Sequence, residues 1–499
     1  MTIKENQLLN TQTRCFLWVL TLLALVIRLI SINAEGLWLD ELHTMNESDP
    51  EISWDKLMWY LRYVDQHPPM HFAIEKVCFS IFGYTPLVAR VPSAIAGALS
   101  VWAIFYLGRE LRSQRAGLFA AIITAVNGFH LYYSQEARNY VLAFLFAILS
   151  FLWLVKLLKD ISVRNSVMYG LMTVLFLYTH YFSLFAVVSQ AVIIAIFFLA
   201  EPKENKARFF KTFLISAVII VLGYLPWFSH LLSMKAISSF WIKPVKPDFL
   251  IDYFKDYFFG QARVAGIAFL AVLFYLGYSL YTGRRSLNFH NLRQRPAAIT
   301  MLTLFLWFFI TLLIPYLRSV FVIPMLIIRY TIIVLPVIFL AIAFGFDMLP
   351  KKVLSIGGLA AFAFLNLWSV FHDIDLYNQP SKTQFREMQR YVMDHNKENY
   401  PLITGSTRWH QEYYWKYYEY SPSYLPGSPT NIVDSVLRKI PPVHDLKGFW
   451  VVGAHGATPL SAEQQADLDT AYTLLHDEKW IDAWAQLWIR KEANDLNSK

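Results

Sequence analysis

The sequence predicts an all-α protein that crosses a membrane many times and carries a small mixed α/β domain at its C-terminal end. Three observations predict this. Of 499 residues, 56% are hydrophobic and only 16% charged, where a soluble domain carries roughly a quarter. The apolar residues fall into about eleven runs near the ~20 residues that cross a hydrocarbon core. From about residue 372 these runs stop and the chain turns polar. Aromatics at 17% suit a chain with many membrane–water interfaces.

The runs lie near 14–33, 86–108, 116–133, 139–158, 166–182, 184–200, 211–230, 263–281, 298–316, 327–347 and 353–371, about 11–13 crossings in all. The first follows a polar start with no small-residue cleavage site, so it predicts an uncleaved helix. Charge sets the orientation. Lys and Arg collect in alternate connections: Arg109, Arg112 and Arg115; Lys156, Lys159 and Arg164; Lys203, Lys206, Arg208 and Lys211; Arg284, Arg285, Arg293 and Arg295; Lys351 and Lys352. Such connections face the cytoplasm. The N-terminus is then cytoplasmic and the C-terminal domain outside. The net charge of +8 is accounted for by this topology, without nucleic acid as a partner. Cys15 and Cys78 sit in apolar settings and form neither a disulfide framework nor a metal spacing. No Walker motif, Gly-rich dinucleotide loop or internal repeat is visible, which argues against an ATP-driven pump.

Residues 69–83 are apolar but short and include Glu75 and Lys76. Counting them as a span would invert every basic connection downstream. Residues 51–83 therefore predict juxtamembrane helices on the outer face or a re-entrant hairpin. The outer connections are 34–85, about 134–138, about 183, 231–262 and 317–326. This divides the chain into a transmembrane domain at 1–371, with outer loop 34–85, and an extracytoplasmic domain at 372–499. In the latter, spacing predicts helices at 383–396 and 430–440, and Ser461 with Gln464 forms a capping box. Strands are predicted at 401–404, at 449–453 and where Trp484, Gln486 and Trp488 alternate.

The residues with chemistry collect on the outer side. LWLDELHTM (37–45) places Asp40 and Glu41 just beyond the first run. A carboxylate there can take a proton from an acceptor hydroxyl; spacing alone also fits a solvated loop start. QHPPMHF (66–72) holds His67 and His71 at the mouth of an apolar helix. Imidazole binds a metal or, protonated, a phosphate, and it also serves as an interfacial hydrogen-bonding group. YYSQEARNY (132–140) brings Glu136 and Arg138 to a span junction. They fit a helix-end ion pair, or an arginine awaiting a lipid phosphate. Arg90, His180, Arg318 and Arg329 fall on the same side. Packing or snorkelling explains each one, whereas an anionic ligand also explains their shared side. EYYWKYYEYSPSYLP (412–426) fits a sugar-stacking platform or a domain face packed at an interface.

Taken together, the DE pair after the first run, HPP, ARVPSA and YYSQEAR resemble the membrane glycosyltransferases of the dolichyl-phosphate-mannose protein mannosyltransferase and lipid A aminoarabinose transferase type, which share the C-type glycosyltransferase (GT-C) fold. The resemblance is dense over 37–145 and weaker to about 347, where RYTIIVLP (329–336) resembles a late-helix motif. It does not extend to the C-terminal domain. It implies an undecaprenyl- or dolichyl-phosphate sugar donor and an inverting transfer without a covalent intermediate. Asp40 stands where the family places its catalytic aspartate, implying a general base or acceptor-positioning group, with Glu41 as its partner. His67 stands where relatives carry a basic residue near the carrier phosphate. Arg90 and Arg138 match basic positions of the pattern. His43 falls where the aminoarabinose transferases have arginine, a departure from the family's pattern. With Arg318 and Arg329 these are the candidates for the carrier phosphate, and His71, Glu136 and His180 are further candidates. Some relatives bind a divalent metal, but no defined ligand set is visible here. The acceptor, whether glycan, lipid or protein, stays open. The expected setting is the cell membrane, a bacterial inner membrane by the shortness of the loops. The competing reading is a transporter or flippase of lipid-linked sugars, which calls for midmembrane polar groups and interrupted helices in repeated halves.

Overall fold

The computed structural model describes residues 9–233, 242–283, 292–425 and 446–491. The helix expected at 430–440, and Arg284 and Arg285, lie outside the described residues. The chain forms two compact units. The first comprises 1–30, 50–83 and 88–376; the second comprises 31–49, 84–87 and 377–499.

In the first unit every apolar run becomes helical. The helices are α1 (Thr11–Leu29), then, after α2–α4 described below, α5 (Pro86–Leu111), α6 (Gln114–Val126), α7 (Gly128–Ser134), α8 (Tyr140–Lys159), α9 (Val163–Leu177), α10 (Ser183–Leu199), α11 (Lys203–Ser233), α12 (Phe249–Asp256), α13 (Ala262–Gly283), α14 (Pro296–Phe321), α15 (Leu335–Asp347) and α16 (Lys352–Trp368). Among the described residues eight helices are long and apolar enough to cross a membrane, counting the 3-10 turn Ile328–Val334 with α15; α6 and α7 make a further pair bent by 60°. Helices α9 and α10 are shorter, at 15 and 17 residues. The protein is a multi-pass membrane protein. Helix starts follow local chemistry: the side chains of Asn10 and Ser113 accept from the backbone N–H of Thr13 (2.8 Å) and Ala116 (3.1 Å). Residues 51–83 form two short helices, α3 (Trp54–Tyr63) and α4 (Met70–Phe82), with Pro69 as the residue before α4.

Lipid is as apolar as leucine, so helix association relies on close packing and internal polar contacts. Trp307 is 0% exposed, stacks on Phe151 at 3.7 Å and donates its indole N–H to the Ile333 carbonyl at 3.1 Å. Gly345 lets α15 approach α13 so closely that a Cβ there would lie 2.1 Å from the Ala271 carbonyl oxygen. The basic connections gather at one end. Arg112 and Arg115 both meet Asp347, and Arg293 takes Glu201 in two bonds of 2.8 Å. Helix α8 runs 20 residues from there to Tyr140, about 30 Å at 1.5 Å per residue.

The second unit contains a four-stranded sheet in the order β1-β2-β4-β3, from β1 (Leu402–Thr404), β2 (Gly448–Ala454), β3 (Tyr472–Trp480) and β4 (Ala483–Arg490). β1 is parallel to β2; the other pairs are antiparallel. Trp484 and Trp488 alternate toward Phe449, Val451 and Leu468 in one core. Its helices are α2 (Leu39–Glu47), α17 (Phe385–His395), α18 (Arg408–Tyr417) and α19 (Ala462–Leu468), the last with the Ser461–Gln464 capping box. Two elements escaped the sequence reading. β3 contains adjacent leucines and a bulge between Leu474 and His476, which breaks the period of two. The aromatic run begins in α18, where Tyr413, Tyr414 and Trp415 are buried and Tyr417 is 51% exposed; beyond the helix Tyr418, Tyr420 and Tyr424 are half-buried.

The compact units cut across a linear division at 371, because residues 31–49 fold with the C-terminal unit. The Leu37 N–H donates to the Tyr414 hydroxyl at 2.7 Å, Lys382 N–H to Glu35 at 2.6 Å, Arg386 to the Asn33 carbonyl at 3.1 Å, and Asn46 to the Trp409 carbonyl at 2.8 Å.

The close approach of α13 and α15 gives a direct test. Gly345→Val should destabilise the detergent-solubilised protein by about 1–3 kcal/mol. Gly357→Val, where a Cβ meets nothing within 4 Å, should leave the melting temperature unchanged. Equal melting of both variants would contradict the packing.

Candidate active site

In the first unit the site is built on the turn that joins α7 to α8. Its backbone is gripped from several elements. The carbonyl of Ala137 accepts from His71 Nε2 on α4 at 3.1 Å, and that of Arg138 from the Ser93 hydroxyl on α5 at 3.2 Å. The Asn139 side chain donates to the Thr179 carbonyl at 2.7 Å, and one residue earlier the Tyr178 carbonyl accepts from the Met70 N–H of α4 at 3.2 Å. The Arg138 side chain is thereby set in place at 3% exposure. Its guanidinium meets Asp65 Oδ2 at 3.4 Å and His67 Nε2 at 3.1 Å, and lies over the Phe72 ring at 5.8 Å. A guanidinium only donates, so His67 accepts through Nε2 and carries its proton on Nδ1, 2.6 Å from the Asp65 carbonyl.

Two further groups complete the cluster. His180 lies in the connection between α9 and α10. Burial first, and then the neighbouring His67, Arg138 and Arg329, hold its imidazole well below the ordinary histidine range. Its ring packs on Tyr330 at 4.9 Å, and Arg329 lies over that same tyrosine at 5.8 Å. His71 is pushed down to about 3 by burial and then by Arg138. Both histidines are therefore neutral at pH 7: His71 donates through Nε2 to the Ala137 carbonyl, and His180 accepts the Phe182 N–H at Nδ1 at 3.1 Å, which leaves its own proton on Nε2. The protonated imidazole considered from sequence does not apply to these two, because burial penalises the charged form.

The structure thus brings together His67, Arg138, His180 and Arg329, with His71 anchoring the backbone beneath them. Glu136 is buried in the same turn, and Arg90 is buried near the start of α5, one turn before Ser93. Arg318 is exposed in the last turn of α14 and has no described contact with this cluster. Asp65, the carboxylate that orients Arg138 and His67, was not singled out in the sequence, although it sits two residues before the HPP motif.

In the second unit, helix α2 opens directly into the DE pair. Glu41 is fully buried, 3.6 Å from Lys382 Nζ, and its carboxylate accepts from the Trp38 N–H at 3.5 Å. Asp40, one residue earlier, points a different way round the helix and is half-buried. With His43 and Glu47 it shares one face, by the three- and four-residue spacing of a helix. His43 Nδ1 is 3.3 Å from Glu47 Oε1, and its ring packs against Trp409 at 4.8 Å and His410 at 5.2 Å. His43 and Glu47 offer one imidazole nitrogen and one carboxylate oxygen, which is half of a zinc ligand set. Lys382, Trp409 and His410 are distant in sequence, and no local pattern marks them.

Residues 66–230 match the family described as dolichyl-phosphate-mannose-protein mannosyltransferase. No curated protein matches the chain. Over most of its length the chain is similar to ArnT from Cupriavidus metallidurans in the apo state, with a TM-score of 0.60 at 12% identity over 96% of this chain and 98% of that one. The same protein bound to undecaprenyl phosphate gives 0.57 at 12% over 95% and 98%. The oligosaccharyltransferase AglB from Archaeoglobus fulgidus, in complex with an inhibitory peptide and a dolichol-phosphate, gives 0.51 at 10% over 97% and 74%. The fold is the GT-C fold that the motifs resembled, and residues 66–230 match the model of a glycosyltransferase family.

His410 supplies a pH test in the second unit. Burial first, and then His43 and His455, push its imidazole down from the ordinary 6.5 to about 4. The unfolded chain therefore binds a proton before the folded one does. The stability from neutral His410 is complete above pH 6.5 and is lost as pH falls toward 4. Melting curves over this range should fall less steeply for His410→Gln than for the unaltered protein. Parallel curves would refute the assignment.

Proposed function

We propose that this glycosyltransferase takes its sugar from a polyprenyl-phosphate carrier on the outer side of the membrane and passes it, with inversion, to an acceptor hydroxyl deprotonated by Asp40. The observation that carries the reading is the grouping of Arg138, His67 and His180, all inside the segment that matches the family, with Arg329 from far beyond it at one end of the helical unit. The undecaprenyl phosphate bound by the Cupriavidus protein and the dolichol-phosphate bound by AglB are the class of carrier assigned here.

The chemistry asks little of the leaving group. A lipid phosphate departs with its charge already present, so the site must hold that charge and need not protonate it. Arg138 offers a planar fork suited to phosphate oxygens. Asp65 and His67 hold that fork in register, and the neutral imidazole of His180 adds an N–H donor. Arg329 adds a second guanidinium. The acceptor hydroxyl is a weak nucleophile until a carboxylate takes its proton. In a single displacement the bond from the anomeric carbon to the carrier oxygen breaks as the bond to the acceptor oxygen forms. The acceptor proton passes to Asp40, and the electron pair leaves on the carrier phosphate. Glu41, buried against Lys382, positions α2. Arg90 supports the phosphate side from α5, and Arg318 meets lipid headgroups.

Sidedness rests on the basic connections. Those near Arg112, Arg115, Lys159 and Arg293 cluster at the other end of α8 from Arg138, and basic connections face the cytoplasm. The N-terminus is then cytoplasmic and the reaction outside, in a bacterial inner membrane.

Purified protein assayed against a panel of polyprenyl-phosphate sugars should consume at least one donor. Asp40→Asn should lower turnover by about 10²–10⁴-fold, with folding and donor binding retained. Full activity in that variant would remove Asp40 from the mechanism. Cysteine labelling from the two sides should reach positions 40 and 138 from the same one. Movement of labelled carrier across vesicles without a new glycosidic bond would instead favour a transporter.

A further inference from the structure

We infer that Arg28, in the last turn of α1, is a positioning residue for the carrier-phosphate site, because it holds the bent span from which Arg138 is presented; this rests on the phosphate-binding role proposed above. An arginine inside an apolar helical unit is costly unless its donors are satisfied. Arg28 is 0% exposed. Its Nη1 donates to the Ala24 carbonyl at 2.8 Å and the Ala125 carbonyl at 3.3 Å. Nη2 donates to the Thr124 carbonyl at 3.1 Å and to His130 Nδ1 at 2.8 Å, and Nε to the Ser134 hydroxyl at 3.1 Å.

These acceptors belong to a bend. Helix α6 stops at Val126, and α7 starts at Gly128 on an axis turned by 60°. The Asn127 side chain caps α7 by accepting from the His130 N–H at 3.0 Å, and its amide donates to the Tyr257 carbonyl at 3.0 Å. The carbonyls of Thr124 and Ala125 lie in the last turn of α6, where intrahelical partners run out. A guanidinium there satisfies them and complements the helix dipole. Since it only donates, His130 accepts through Nδ1 and carries its proton on Nε2. Gly97 on α5 makes room, since a Cβ there would sit 2.6 Å from Arg28 Nε and 2.4 Å from Ser134 Oγ.

The link is returned at the other end of α7. Gln135 donates to the carbonyls of Arg28 at 3.1 Å and Ile30 at 2.7 Å. The end of α1 and the turn carrying Arg138 are therefore tied in both directions, three residues before that arginine. Arg28 also falls at the end of α1 where the charge rule disfavours a cation, and the bend is its local reason.

The test is a double-mutant cycle on the full-length protein, with undecaprenyl phosphate as the binding probe and donor KM and kcat as further readouts. Arg138→Met should weaken probe binding by about 10-fold or more, the range of a lost charge-assisted hydrogen bond. Arg28→Met should weaken binding and raise donor KM in the same direction, with a smaller effect on kcat. In the Arg138→Met background it should add less than about two-fold, as coupled residues do not add. Gly97→Ala crowds the guanidinium without changing charge and should act like a mild Arg28→Met; with Arg28→Lys it replaces that variant in the cycle if Arg28→Met fails to fold. Effects that multiply, or a loss confined to kcat, would overturn the inference. Unchanged binding in Arg138→Met would overturn the phosphate-site reading itself, and the role of Arg28 would fall with it.

Discussion

A cation kept almost out of water must be solvated by protein, and the end of the helical unit that carries Arg138 is organised around that need. Asp65 and His67 accept from its guanidinium. The turn that carries it is fixed through its carbonyls by His71 and Ser93. Burial then sets the protonation of its neighbours: His71 and His180 give up charge in favour of the arginines beside them. The result is a small group of polar side chains around two permanent cations, Arg138 and Arg329. Such a group is suited to holding an anion and poorly suited to giving it a proton.

The same economy recurs in the rest of the helical unit. Arg28 is satisfied by the carbonyls of a broken span, and Arg293 by Glu201 in two parallel bonds. Where no polar contact is available, close approach of backbone serves, as at Gly345 and at Gly117, whose Cβ would lie 2.4 Å from the Phe105 carbonyl oxygen. Polar anchors and small residues together replace the hydrophobic drive that lipid removes.

The second unit separates two adjacent carboxylates into different environments. One residue along a helix is a turn of about 100°. Glu41 therefore enters the packed interior beside Lys382 while Asp40 stays half-buried on the face of His43 and Glu47. A DE pair in a loop would leave both exposed and repelling. A DE pair in the first turn of a helix lets the buried partner set the register of the other.

The apolar runs that become helices, their order and the crowding of basic residues into alternate connections were legible in the residues, because hydropathy and charge are summed over long windows that tertiary contacts do not reverse; of the 11–13 crossings expected, eight helices and one bent pair among the described residues are long enough to cross. The DE, HPP and QEAR motifs were legible as local clusters. The sequence alone did not reveal that Asp65 orients Arg138, that Tyr413, Tyr414 and Trp415 of the aromatic run are buried, that β3 exists despite its bulge, or that residues 31–49 fold with a domain more than 300 residues later. Each of these depends on contacts between segments far apart in the chain, and burial, which sets the charge of His71, His180 and His410, is a property of those contacts and not of any window of sequence.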